Sequence, residues 1–286
     1  MSLVKWKNHN TKDVEVDLIL GALKERYGYD FSGYARASLK RRLQELTRYF
    51  DVEHLSQLIP EILFDEAVAQ SVINSISVPS SEFFRDAQVW KIIREVTMPQ
   101  LNSFPWINIW QVGCGRGEET YTLAILLHEA GLLKKSRIFT SDINPAFLDE
   151  ARAGCWSRRR LAAWRTSYQH AGGLSDFDGY FEEREGAIAI RPELKRSIEF
   201  VQHNLVEDDV FKEVQFVVCR NVLIYFGDAL QDRVLKLCSR SLERGGYLLL
   251  GLSERILDLR EKHRELEEVD GELQLYRKKI GSEHHV

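Results

Sequence analysis

The sequence predicts an α/β protein: a doubly wound, mostly parallel sheet, with a small N-terminal helical domain ahead of it and a small β insertion within it. Three observations carry that prediction. Apolar residues recur at helical spacing from about Val14 to Val96, and short apolar runs alternate with helical segments from Trp106 onward. The stretch Trp156 to Arg196 then breaks that rhythm.

In the first zone, Leu39, Leu43 and Leu46 fall at i, i+4 and i+7, the buried stripe of one amphipathic helix. Further helical stretches are expected near His54 to Leu63 and Asp65 to Ile76. Pro99 and Pro105 punctuate a linker. The expected boundary therefore separates a helical domain with its linker, 1–98, from an α/β domain, 99–286. In the second zone, Ile107 to Val112, Arg137 to Ser141, Ile198 to Gln202, Gln215 to Cys219 and Tyr247 to Gly251 read as strands. Helices are expected near Thr120 to Ala130, Ala146 to Ala153 and Ala229 to Ser241. Strands separated by helices imply parallel βαβ units with right-handed crossovers. Glu272 to Arg277 alternates and is expected as an added edge strand. The segment 156–196, rich in glycine and charge, is expected as an inserted β-subdomain or a mobile lid, with a hairpin around Ala187 to Ile190.

Composition limits the classes of function. The 286 residues carry 44% hydrophobic and 29% charged side chains, an ordinary globular balance, and a formal net charge of -4. That balance offers no global attraction to nucleic acid or an anionic membrane. Cys114, Cys155, Cys219 and Cys238 form no CxxC pair and no metal-type spacing, so no metal is expected. With no apolar run near the ~20 residues that span a bilayer and no signal peptide, a reducing cytoplasm is the expected location. The histidine-containing end, Ser282 to Val286, is expected as a loose tail.

Four motifs sit where strands should end. Val112-Gly113-Cys114-Gly115-Arg116-Gly117-Glu118-Glu119 follows a strand and opens a helix; glycines there let the backbone turn sharply and approach a ligand. Such a loop alone serves phosphate cofactors, flavins or methyl donors. Its two glutamates disfavour a diphosphate and favour a cationic group, as in S-adenosylmethionine. Ser141-Asp142-Ile143-Asn144 ends the next strand, where an acid can hold ribose hydroxyls or cap a helix. His203-Asn204-Leu205 and Cys219-Arg220-Asn221-Val222-Leu223-Ile224-Tyr225-Phe226 place amides beyond two further strands. One such asparagine is ordinarily a turn residue; two in this order point to a ligand.

Together with Ser81-Glu82-Phe83-Phe84-Arg85 and Gly251-Leu252-Ser253-Glu254, these strings resemble the CheR family of chemotaxis receptor methyltransferases over nearly the whole chain. The resemblance implies a class I methyltransferase-like fold, S-adenosylmethionine as cofactor, and methyl esters formed on receptor glutamates. It implies that Arg85 and Glu119 grip the donor's carboxylate and ammonium, that Asp142 holds the ribose, and that Asn204 and Leu205 border the adenine. Gly113, Asn221, Val222 and Ser81 would line the same crevice. Departures fall at Pro79, where the family shows asparagine, at Ser81 for threonine, and at Leu252 for histidine.

A glutamate carboxylate, with a pKa of about 4.3, is already anionic near neutrality, so the transfer needs no general base. Alignment and exclusion of water are the expected contributions, with Arg85 or Tyr225 orienting the acceptor. Arg36, Lys40, Arg41, Arg42 and Arg48 share one helical stretch opposed only by Glu45; the ordinary reading is a solvated face. The resemblance makes it the docking surface for a receptor's helical cytoplasmic domain, served by a monomer. Arg158-Arg159-Arg160 with Arg165 is read as a solvated loop. Competing functions are a small-molecule or nucleic-acid methyltransferase, a donor-binding sensor without turnover, and a methyltransferase outside chemotaxis.

Overall fold

A computed structural model describes residues 10–78, 81–210, 212–256 and 259–281; Pro79 and Ser282–Val286 lie outside them. The chain divides into two compact units, Met1–Val78 with Tyr225–Gln231, and Pro79–Ile224 with Asp232–Val286.

In the first unit, the Asn10 side chain accepts the Lys12 N–H at 3.2 Å and starts helix α1 (Thr11–Tyr27), which ends at Gly28 with φ 76°. Helices α2 (Arg36–Tyr49), α3 (Ile59–Phe64) and α4 (Glu66–Ile76) follow, α4 capped by Asp65. Leu39, Leu43 and Leu46 are buried along α2 as their spacing requires, and α2 packs on α4, whose Val72, Ile73 and Ile76 are buried. Each such side chain contributes roughly 2 kcal/mol by leaving water. The returning segment is tied in by the Ala35 N–H to the Tyr225 carbonyl at 2.8 Å and the Gly227 N–H to the Gly33 carbonyl at 2.9 Å.

The boundary falls at Val78, not near 98. Helices α5 (Ala87–Ile92) and α6 (Met98–Leu101), joined by a π-helical turn at Ile93–Thr97, bury Val89, Trp90, Ile93, Met98 and Leu101 in the core of the second unit. Helical spacing shows that a helix has a buried face; it does not say which core that face meets.

The second unit contains strands β1 (Ile107–Val112), β2 (Ser136–Asp142), β3 (Cys155–Ser157), β4 (Phe181–Arg184), β5 (Ala187–Ile190), β6 (Ile198–Gln202), β7 (Val214–Cys219), β8 (Leu242–Leu250), β9 (Leu266–Asp270) and β10 (Leu275–Lys278). Helices α7 (Glu118–Glu129), α8 (Pro145–Ala153), α9 (Leu161–His170), α10 (Pro192–Lys195), α11 (Asp228–Ser241, whose residues 228–231 count with the first unit) and α12 (Leu259–Lys262) lie between them in the chain. The main sheet runs β6-β2-β1-β7-β8-β10-β9. Five strands are parallel and β10 inserts antiparallel between β8 and β9. This is the class I methyltransferase-like arrangement. The expected edge strand Glu272 to Arg277 is therefore interior as β10, and the edge is β9. Its sequence, Leu-Glu-Glu-Val-Asp, is too charged to announce a strand, as edge strands often are.

The insertion is a three-stranded antiparallel sheet, β3-β5-β4, with α9 beside it. It is anchored. Phe83 meets Trp156, Trp164, Phe177 and Phe181 at centroid distances of 4.9 to 5.8 Å, and all five rings are buried. The Glu129 carboxylate at the end of α7 accepts from the Tyr168 and Tyr180 hydroxyls and pairs with Arg94 at 2.6 Å.

Candidate functional site

Strand order reverses between β1 and β7, and open α/β sheets bind ligands outside the carboxyl ends of strands at such a point. Every expected donor-site residue lies in the second unit; Gly113, Asp142, Asn204, Leu205, Asn221 and Val222 stand at or just beyond strand ends, while Ser81 and Arg85 precede β1.

The loop after β1 turns through Gly113, Gly115 and Gly117 at φ 67°, 50° and 92°. Gly113 is required twice over, because a Cβ there would also lie 2.6 Å from the Val222 side chain. The Gly115 N–H donates to Asp142 Oδ2 at 3.0 Å, and the Asn144 N–H to Oδ1 at 3.0 Å. Asp142 thus ties the ends of β1 and β2 together, while Asn144 caps α8 through the Ala146 N–H. Burial pushes the Asp142 carboxyl up to about 6, against the pull of three backbone N–H groups. The His203 N–H donates to the Asp142 carbonyl at 3.1 Å, which sets the end of β6 alongside. There the Asn204 side chain closes a turn by accepting the Val206 N–H at 3.0 Å, and the Leu205 carbonyl accepts from Arg233.

Just beyond β7 stands an arginine that motif reading passed over. Arg220 has a fully buried side chain that pairs with Glu119 Oε2 and Asp86 Oδ2, each at 2.6 Å. It also donates to the Arg85 carbonyl at 3.4 Å and lies over the Trp90 ring. Phe84 and Asp86, either side of Arg85, have φ of 53° and 58°, a conformation uncommon for such residues. It is held by the Thr122 hydroxyl, which accepts the Phe84 N–H at 3.1 Å, and by Arg220 on Asp86. The F-F-R string is thus two buried aromatic anchors and a tight turn that presents Arg85. Glu119 in turn donates its N–H to the Ser81 hydroxyl at 3.3 Å.

Beside it, Glu118 is fully buried. Its Oε1 pairs with Arg160 of the insertion at 3.0 Å, and its Oε2 has no hydrogen-bond partner among the described residues. Arg158 and Arg165 also pair, with Glu183 and Asp178, but these pairs and Arg159 are exposed, so within the run the solvated reading fails at Arg160.

Glu254 explains the late Gly251-Leu252-Ser253-Glu254 string. Its carboxylate accepts the N–H groups of Gly251 and Asn221, each at 2.7 Å, and of Ile224 at 3.2 Å. That grip holds Asn221 at φ 58°, and a Cβ on Gly251 would sit 2.6 Å from the carboxylate. Burial raises the Glu254 carboxyl while those N–H groups lower it. The only sequence signal for this role was an acid three residues beyond a glycine that follows a strand.

Tyr225 belongs to the first unit, where Arg42 lies 4.8 Å over its ring. The basic stretch there is divided. Arg36 pairs with Asp17 at 2.5 Å and Lys40 pairs with Asp13, while Arg42 donates to the Ile76 carbonyl at 2.9 Å. Arg41 and Arg48 are exposed and make no ion pair among the described residues; they border a cleft that also holds Glu15, Glu45 and Glu53. No group of His, Cys, Asp or Glu among the described residues is placed to hold a metal ion. No helix among them is long and apolar enough to cross a membrane.

Residues 79–270 match the family model for the CheR methyltransferase SAM-binding domain, and 15–77 match that for the CheR methyltransferase all-alpha domain. The chain is 39% identical over 244 residues to Cher3 of Pseudomonas putida, covering 85% of this chain and 89% of that protein. It is 28% identical over 250 residues to a chemotaxis protein methyltransferase of Listeria monocytogenes, covering 86% and 92%. It is 29% identical over 237 residues to chemotaxis protein methyltransferase 1 of Vibrio cholerae, covering 78% and 82%.

Proposed function

Because the chain belongs to the CheR methyltransferase family, we propose that it is a protein-glutamate O-methyltransferase acting on the helical signalling domain of a methyl-accepting chemotaxis receptor. Family membership makes S-adenosylmethionine its methyl donor. The residues at the β1–β7 switch point suit that donor on chemical grounds. Glu118, Glu119 and Asp142 stand there with Arg160 and Arg220 paired to the first two, carboxylates that disfavour a diphosphate and suit an ammonium and a sulfonium. The unpartnered Glu118 oxygen is a spare acceptor of the kind a bound ligand would fill.

The donor supplies an electrophilic methyl group on a cationic sulfur. The chain's residues supply position. In this proposal Arg85 pairs with the donor's carboxylate, Glu119 takes its ammonium, and Asp142 accepts from the ribose hydroxyls. Asn204 and Leu205 border the adenine, and Ser81, Gly113, Asn221 and Val222 complete the wall. The acceptor glutamate is anionic near neutral pH and attacks unaided, so the protein need move no proton; it aligns oxygen with methyl and keeps water out. Arg85 or Tyr225 orients the acceptor.

In the first unit, Arg41 and Arg48 are the cations left to meet an acidic receptor helix, a salt-dependent attraction. The enzyme is proposed to act as a cytoplasmic monomer. The grouping of Glu118, Glu119 and Asp142 at the β1–β7 switch point is the observation that carries this reading.

Tritiated methyl transfer to a receptor signalling domain tests it, with alkali treatment releasing the label as methanol from an ester. Alkali-stable label would mean an amine or thiol acceptor. Donor binding with no labelled protein would make the chain a sensor.

A further inference from the structure

We propose that Arg160 is a positioning residue of the donor site: from the insertion it holds the buried Glu118 carboxylate, and with it the first turn of α7, in the anionic form that receives a cationic donor. The proposal rests on the methyltransferase reading above and assigns the insertion a part in it.

Arg160 is the member of the arginine run that faces inward. Its Nη1 meets Glu118 Oε1 at 3.0 Å, and its Nη2 reaches the Ser81 carbonyl at 3.2 Å and Glu82 at 3.5 Å. Its guanidinium lies 4.7 Å from the Trp164 ring centre on α9. One side chain thus joins the insertion, the start of α7 and the segment that carries Ser81. A guanidinium suits this task because its donors are fixed in a planar fork.

Glu118 is the group that needs holding. It is 0% exposed, at the head of the helix that follows the glycine loop, and its second oxygen has no partner among the described residues. A buried carboxylate in that state is costly when ionised, so it drifts toward its protonated form unless a cation stands by. The cations facing it are Arg160 and Arg116, and Arg116 is itself drawn off by Glu150 at 2.8 Å. The neighbouring Glu119 is matched by Arg220, the Ser81 hydroxyl adds a weaker pull, and the Cys114 thiol nearby is held protonated by burial. Glu82 faces Arg160 from outside and is 59% exposed at its side chain, so water screens it. Burial pushes the Glu118 carboxyl up to about 7, with its own backbone N–H, then Arg160, then Arg116 pulling it down. Near neutral pH, Arg160 is therefore the charged side chain with the greatest influence on how much of Glu118 is ionised.

The consequence differs between donor and product. S-adenosylmethionine carries one net positive charge and the demethylated product none, so an ionised Glu118 favours the donor. Losing an opposite charge at hydrogen-bond distance raises a carboxyl by about one unit or more. At pH 7 the ionised fraction of Glu118 then falls from about half to about a tenth.

Calorimetry with the full chain, titrating S-adenosylmethionine and S-adenosylhomocysteine from pH 6 to 9, tests this. Arg160→Ala should weaken donor binding about fivefold at pH 7 and recover by pH 9, with a smaller change for the product. Arg160→Lys should stay within about twofold of the parent, and Glu118→Gln should bind weakly at every pH. An Arg160→Ala loss equal at all pH values, or no loss, overturns the proposal. If the parent chain itself binds no donor, the methyltransferase reading fails instead, a different outcome.

Discussion

The two arginine-rich stretches look alike as strings and differ as objects. In α2 of the first unit, three of five cations are consumed by the chain itself: Arg36 and Lys40 on acids of α1, Arg42 on the Ile76 carbonyl and the Tyr225 ring. In the insertion, Arg158, Arg160 and Arg165 all have acidic partners, and Arg160 reaches a carboxylate with no solvent exposure. A run of charge predicts neither docking nor solvation. What matters is how many charges remain after the chain has used its own, and that count depends on tertiary contacts.

The sharpest test of spent against open charge is Arg220, which neither stretch contains. Arg220→Ala leaves Glu119 and Asp86 facing each other without their buried counter-ion. Removing one partner of a buried pair costs about 3 to 5 kcal/mol, so urea denaturation should show a loss of that size and donor binding should disappear. A loss under about 1 kcal/mol would mean that water reaches the crevice and screens both acids.

Within α2 the comparison can be broken residue by residue. Arg42→Ala removes a hydrogen bond and a ring contact and should cost about 1 to 2 kcal/mol. Arg41→Ala and Arg48→Ala should each lie within about 0.5 kcal/mol of the parent. Equal costs across the three would erase the distinction drawn between them.

Reversing the open pair tests docking without that confusion. Arg41→Glu with Arg48→Glu should cut receptor methylation about tenfold at low salt, with the difference shrinking as salt rises and donor affinity unchanged. Unchanged methylation at low salt would remove this face from the receptor-binding surface.

The same distinction separates what the sequence discloses from what it hides. Period and punctuation sufficed for the sheet: Ile107–Val112 and Ile198–Gln202 are strands at the expected bounds, because apolar runs between glycine loops have few alternatives. The glycine loop and the acid after β2 were legible because backbone turns and strand ends constrain residue type locally. Arg220 and Glu254 were not, although both stood inside quoted motifs. Their roles consist of pairing with residues 101 and 33 positions away, and local pattern carries no record of such partners. The helices at Ala87–Leu101 were misassigned for the same reason, since the choice of core is a long-range fact.

The mildest expected effect lies at Arg165, and it guards against reading every pair in the insertion as a support. Arg165 meets Asp178 through both Nε and Nη2, at 3.0 and 2.5 Å, a geometry that would matter in a dry site. Both side chains, however, are about two-fifths exposed, at 43% and 39%. Exposed pairs gain little because water screens the charges and two flexible side chains must be ordered. Arg165→Ala should therefore shift the melting temperature by no more than about 2 °C and leave donor affinity at pH 7 unchanged. A larger shift, or weakened donor binding, would show that the insertion supports the crevice through its whole arginine run, and Arg160 would lose its special place.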